Sequence, residues 1–79
     1  MIKIFPNPLT ECSIIVFDQP PETIFKLSIY SSIGELKREY QKIINGEVII
    51  CREKLRTGLY IYYLNGSNGF RSTGKLIIY

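Results

Sequence analysis

At 79 residues the chain has the size of one domain with a modest core. Hydrophobic residues make up 46% and charged residues 22%, which excludes intrinsic disorder, and an apolar set dominated by Ile, Leu, Phe and Tyr favours strands over helices. Ten basic and seven acidic residues leave a net charge of +3, short of the dense basic patch of a dedicated nucleic-acid binder.

The opening run Met1-Ile2-Lys3-Ile4-Phe5 meets Pro6 at once and is too short for the apolar region of a secretory signal. Ile2 to Phe5 reads as a short first strand, stopped by Pro6-Asn7-Pro8, where two prolines fix two φ angles and remove two backbone donors. Such a stiff segment suits an edge strand or a crossing between sheets. Cys12 to Phe17 reads as the second strand, apolar on both faces, followed by the proline-stiffened loop Asp18-Gln19-Pro20-Pro21-Glu22.

Phe25 to Tyr30 alternates: Phe25, Leu27 and Ile29 share one face, and Lys26, Ser28 and Tyr30 the other. Ser31-Ser32-Ile33-Gly34 is a turn in which Gly34 supplies positive φ, and Glu35 to Gln41 is the return strand. Good helix formers in that segment make a helix its competitor. Asn45-Gly46 carries the side-chain signature of a hairpin turn, leading into a strand from Glu47 to Cys51. Arg52 to Gly58 reads as a connection with one helical turn closed by Gly58, its apolar Leu55 plugging one end of the core. Leu59 to Leu64 is apolar on both faces and is expected centrally in a sheet. After the turn Asn65-Gly66-Ser67-Asn68-Gly69, Phe70 to Tyr79 is the last strand, with Phe70, Leu76 and Ile78 on one face. Seven short strands with turns every eight to twelve residues predict an all-β fold, an Ig-like antiparallel β-sandwich.

The chain has no histidine, which removes the commonest general base and metal ligand. A serine or cysteine nucleophile would lack its usual activator. The carboxylates Glu11, Asp18, Glu22, Glu35, Glu39, Glu47 and Glu53 stand singly and read as surface charges. No glycine-rich phosphate loop is present. These features point away from an enzyme and imply no cofactor and no metal. Cys12 and Cys51, far apart and without metal-ligand spacing, read first as two half-buried apolar side chains. A disulfide between them is the alternative, suited to an oxidising compartment. The six tyrosines read first as core or cross-strand packers. The other reading is an aromatic binding face, with Lys37, Arg38, Lys42, Arg52, Lys54 and Arg56 nearby in sequence.

Four patches carry a family likeness. Phe5-Pro6-Asn7-Pro8 resembles an opening Tyr/Phe-Pro-Asn-Pro. Leu27 through Leu36, with Ile29-Tyr30 and Gly34, resembles a hairpin of the form apolar-x-Ile-Tyr-Asp-x-x-Gly-x-x-apolar. Leu55-Arg56-Thr57-Gly58-Leu59-Tyr60 resembles Leu-x-x-Gly-Val-Tyr. Lys75-Leu76-Ile77-Ile78-Tyr79 resembles a closing Lys followed by three apolar residues. In this order and spacing, across essentially the whole chain, the patches are similar to the type A C-terminal sorting domain of the type IX (Por) secretion system of Bacteroidetes.

The resemblance implies a sorting motif made of Pro6, Asn7, Pro8, Tyr30, Gly34, Gly58, Tyr60, Lys75, Leu76, Ile77, Ile78 and Tyr79. It implies residues 1–79 as a single sorting domain at the end of a larger secreted protein, with Met1 either an added start or internal to that protein. The expected partners are an N-terminal cargo domain, the outer-membrane type IX translocon and a sortase-like peptidase, with no nucleic acid and no membrane span. The expected route is the periplasm in transit, then the cell surface or the medium. The last strand, with Lys75 to Tyr79, is expected to offer an edge of unpaired backbone groups as a docking template, together with the strand around Tyr60. The alternative function is an Ig-like carbohydrate-binding or adhesion module. A third reading is a small basic barrel for single-stranded nucleic acid.

Overall fold

The computed structural model describes residues 2–79, so the expectation for Met1 lies outside the described residues. Seven strands follow one another: β1 Ile2–Phe5, β2 Cys12–Phe17, β3 Phe25–Ser31, β4 Leu36–Ile43, β5 Glu47–Cys51, β6 Gly58–Gly66 and β7 Arg71–Ile78. No helix occurs among the described residues. The strands form a three-stranded sheet in the order β1-β2-β5 and a four-stranded sheet in the order β4-β3-β6-β7, all pairs antiparallel. This is the expected antiparallel sandwich, with β6 inside its sheet between β3 and β7.

The two sheets close over one core because each strand turns an apolar row inward. Ile15 and Ile50 come from the smaller sheet, and Leu27, Ile29, Leu64, Leu76 and Ile78 from the larger; all are fully buried. Burying such a side chain contributes about 1.5–3 kcal/mol. Phe25 joins the layers at one end, with Phe17 of the opposite sheet at 4.8 Å and Phe70 edge-on at 5.9 Å. Gly66 leaves room for that ring: a Cβ there would stand 2.9 Å from Phe25 Cε2.

Two local expectations change. Asn45-Gly46 does not close a hairpin, because β4 and β5 belong to different sheets and the turn carries the chain from one layer to the other. Gly46 still takes a φ of 71°, and its carbonyl accepts the Phe17 N–H at 2.9 Å. The helical turn expected over Arg52–Gly58 is a single β-turn, in which the Leu55 N–H donates to the Arg52 carbonyl at 2.7 Å. Gly58 begins β6 and closes no helix. Leu55 does pack against the core. The β3–β4 hairpin forms as expected, with Gly34 at φ 88° donating its N–H to the Ser31 carbonyl at 3.0 Å.

The cysteines overturn their first reading. Cys12 and Cys51 face each other in the β2–β5 register and are joined by a disulfide, with their Cα atoms 4.0 Å apart. They are not separate apolar side chains, because the register makes them direct cross-strand neighbours.

Candidate functional site: the C-terminal strand and its strap

β7 is an edge strand, and its side chains divide cleanly. Leu76 and Ile78 point into the core and are fully buried, while Arg71, Thr73, Lys75 and Ile77 lie on the exposed outer face of the sheet. The inner face has one gap in its side chains, at Gly74, and the Tyr62 ring fills it. Burial of the Tyr62 phenol raises its pKa above the ordinary tyrosine value. Tyr60, the cross-strand partner of Leu76, is buried and anchored by its hydroxyl, which donates to the Arg56 carbonyl at 2.7 Å.

The outer edge of β7 is covered along half its length by the segment that follows β1. The Asn7 carboxamide works there as a substitute for a strand backbone. Its Nδ2 donates to the Lys75 carbonyl at 3.3 Å, and its Oδ1 accepts the Ile77 N–H at 3.1 Å. Pro8 has no N–H to offer, so a side chain holding both a donor and an acceptor supplies the pairing. Leu9 then pairs through its backbone: its N–H donates to the Ile77 carbonyl at 2.7 Å, and its carbonyl accepts the Tyr79 N–H at 2.9 Å. The result is a short parallel bridge between Leu9 and Ile78. Leu9 itself is fully buried, and Ser13 Oγ fixes the start of this strap by donating to the Pro6 carbonyl.

A second anchor holds the end of β7. Arg52 Nη1 donates to the Tyr79 backbone oxygen, and Nη2 donates to the Leu55 carbonyl at 3.2 Å and to Thr57 Oγ1 at 3.3 Å. Arg38, from β4, donates to the Cys51 carbonyl at 2.8 Å and the Arg52 carbonyl at 3.0 Å, and pairs with Glu53 at 3.6 Å. Through these two guanidinium groups, which match several acceptors at once, the far sheet edge, the disulfide strand and the chain's end are tied together.

Of the residues singled out from sequence, Asn7, between Pro6 and Pro8, bonds Lys75 and Ile77 of the closing run, although the two patches lie at opposite ends of the chain. Gly58 and Tyr60 pair with Ile78 and Leu76 in the adjoining strand. Tyr30 and Gly34 stand apart: Tyr30 packs edge-on against Tyr63 on the outer face at 5.4 Å, and Gly34 serves the β3–β4 turn. The unpaired backbone edge expected along Lys75–Tyr79 is largely closed, because Asn7 and Leu9 occupy it from the Lys75 carbonyl to the Tyr79 N–H. Leu9, Arg38 and Arg52 went unrecognised. Arg38 and Arg52 belong to the basic stretch set beside a candidate aromatic binding face, yet both turn donors to backbone carbonyls.

No cluster of three or more His, Cys, Asp or Glu that could hold a metal ion occurs among the described residues. Glu35 and Glu39 are engaged by Lys37 at 3.7 Å and Lys26 at 3.9 Å. No helix among the described residues is long and apolar enough to cross a membrane. A search of the curated proteins found no match. A family model described as a secretion system C-terminal sorting domain matches residues 3–79.

Proposed function

The chain belongs to the secretion system C-terminal sorting domain family, and from that premise we propose that its strapped C-terminal strand is the part presented to the outer-membrane type IX translocon. The family's domain is the C-terminal sorting signal for type IX secretion, a signal and not a catalytic unit. It acts with the secretion machinery and with a cargo on its N-terminal side, and it directs export to the cell surface or extracellular space.

In the finer reading, the cargo carries residues 1–79 through the periplasm as one folded sorting domain. The translocon reads the domain, and a sortase-like peptidase then separates it from the cargo. The observation that carries this reading is the convergence of two motif patches on β7. Asn7 bonds the Lys75 carbonyl and the Ile77 N–H, so the opening and closing motifs form a single surface. Leu76 and Ile78 serve that surface from beneath, by core packing. Lys75, Ile77 and Tyr79 are exposed and offer side chains to a partner. The disulfide supports passage through an oxidising compartment such as the periplasm.

The test is export. Residues 1–79 fused behind a periplasmic reporter send it outside in a host with the system, and removal of Lys75 to Tyr79 traps it in the periplasm. Unchanged export after that removal would end the reading.

A further inference from the structure

The strap leaves one stretch of β7 open, and its chemistry is uniform. Ile77 turns its backbone N–H and C=O away from β6, toward Asn7 and Leu9. The β6–β7 register runs without a bulge, so Lys75, Thr73 and Arg71 turn theirs to the same side. Asn7 takes the Lys75 carbonyl, and the strap reaches no further. The Lys75 N–H and both backbone groups of Thr73 and Arg71 bond no described residue. The same three residues carry their side chains on the exposed outer face.

Charge on this stretch has one sign. From Lys54 to Tyr79 the chain holds Lys54, Arg56, Arg71 and Lys75 and no Asp or Glu. On the outer face of the sheet the nearest acid is Glu39 of β4, already paired with Lys26. A shallow trough lined by Tyr63, Asn65, Arg71 and Thr73 opens onto the edge at this point. The other edges are shorter or less regular. β4 meets β3 through two register shifts, Arg38 caps the end of β5 by bonding Cys51, and Pro6 cuts β1 to four residues.

We infer that Arg71–Lys75 is a strand-addition site for an extended acidic segment of a partner protein. This rests on the sorting reading above and names the chemistry of the partner. Main-chain bonds to Arg71, Thr73 and Lys75 supply the pairing, and carboxylates opposite Arg71 and Lys75 supply the selection. The charges also argue against a second copy. Antiparallel self-pairing centred on Thr73 sets Arg71 against Lys75, like charge against like, the usual device by which natural edges avoid their own kind.

The probe is a synthetic peptide alternating Glu and Val, added to the isotope-labelled 79-residue chain. Its controls are the Lys-Val counterpart and a Glu-Val peptide of equal charge N-methylated at every Glu, which lacks the donors that would face β7. The expected result is a tenfold or larger gain in amide-exchange protection at Arg71, Thr73 and Lys75, for the Glu-Val peptide alone. Thr73→Pro, which removes an outward N–H, and the charge reversal Arg71→Glu/Lys75→Glu should each abolish the protection while the disulfide-linked fold persists by circular dichroism. Equal protection by the N-methylated peptide, protection by anionic vesicles alone, or dimerisation without peptide would overturn the inference. In the export assay, Thr73→Pro traps the reporter. If that variant is folded and exported normally while loss of Lys75 to Tyr79 still traps the reporter, strand addition fails and the sorting reading stands. If the intact domain directs no export, the sorting reading fails, and the exchange data still judge the acidic-strand site.

Discussion

The phenol of Tyr62 lies directly over Gly74, so close that a Cβ built on the glycine would stand 2.5 Å from both the hydroxyl oxygen and Cε2. The two residues are cross-strand partners in β6 and β7, and the ring fills the place of the missing side chain. The last strand is therefore held against the sheet by a tyrosine that tolerates nothing beneath it.

Gly74→Ala forces that ring aside and is expected to cost about 1–3 kcal/mol, as overpacking in a filled core does. For a domain of this size each kcal/mol lowers Tm by about 4–8 °C. Thermal melts of the variant beside the parent chain measure it, and an unchanged Tm would show that the ring moves freely.

The same burial makes stability sensitive to alkali. Desolvation raises the Tyr62 pKa in the folded state above 10.0, the ordinary value it regains on unfolding. Above that pH the unfolded chain releases a proton that the folded chain retains, so the unfolded state gains. The contribution is complete below about pH 10 and is lost as pH rises through the folded value. Denaturant midpoints from pH 8 to 11 should fall at the alkaline end, and Tyr62→Phe should flatten that fall.

Asn7→Leu keeps a side chain of similar size and removes both carboxamide bonds to β7. The expected loss is about 1–2 kcal/mol, near the net value of two ordinary hydrogen bonds. Hydrogen exchange localises it: the Ile77 amide should lose protection, while the Tyr79 amide, held by Leu9, should keep most of its own. Equal loss at both positions would mean that the strap detaches as a unit.

Reduction of the Cys12–Cys51 bond reopens a loop with a sequence separation of 39. Chain-entropy arguments put the loss at about 4 kcal/mol. Domains of this length have a total stability of about 4–12 kcal/mol, so the reduced form should sit near the edge of folding. Melts with and without reductant, and of a Cys12→Ser/Cys51→Ser variant, test this. A shift of only a few degrees would show that the smaller sheet stands without its staple.

Arg52→Lys keeps the charge and loses the fork that reaches Tyr79, Leu55 and Thr57 together. It should fray the end of β7 and cost about 1–2 kcal/mol, with exchange rising at Tyr79. Full retention of protection at Tyr79 would assign the anchoring to Leu9 alone.

Much of the fold was legible because the strands declare themselves locally. Alternation in Phe25–Tyr30, β-branched and aromatic runs in Cys12–Phe17 and Leu59–Leu64, and Gly34 at its turn all depend on neighbours in sequence. What escaped depends on partners distant in sequence. Asn45-Gly46 has the residues of a hairpin turn, but which sheet each flanking strand joins is decided by Ile43 and Val48 finding the core from opposite layers. Cys12 and Cys51 could pair only once the β2–β5 register set them opposite. The motif at Asn7 was visible and its purpose was not, since a carboxamide that mimics backbone announces itself only beside Ile77. Arg52 was hidden by company: among Arg38, Lys54 and Arg56, one more cation carries no sign that its acceptors are carbonyls.

The parallel bridge between Leu9 and Ile78 has a mechanical corollary. The two segments run in the same direction, so tension drawing the upstream chain and the final residue apart slides one along the other. The bonds of Asn7 and Leu9 then bear the load in shear, all at once, and cannot peel open singly. A domain clasped in this way transmits a pull from whatever precedes it straight into its last strand, and gives way only when the whole clasp slips.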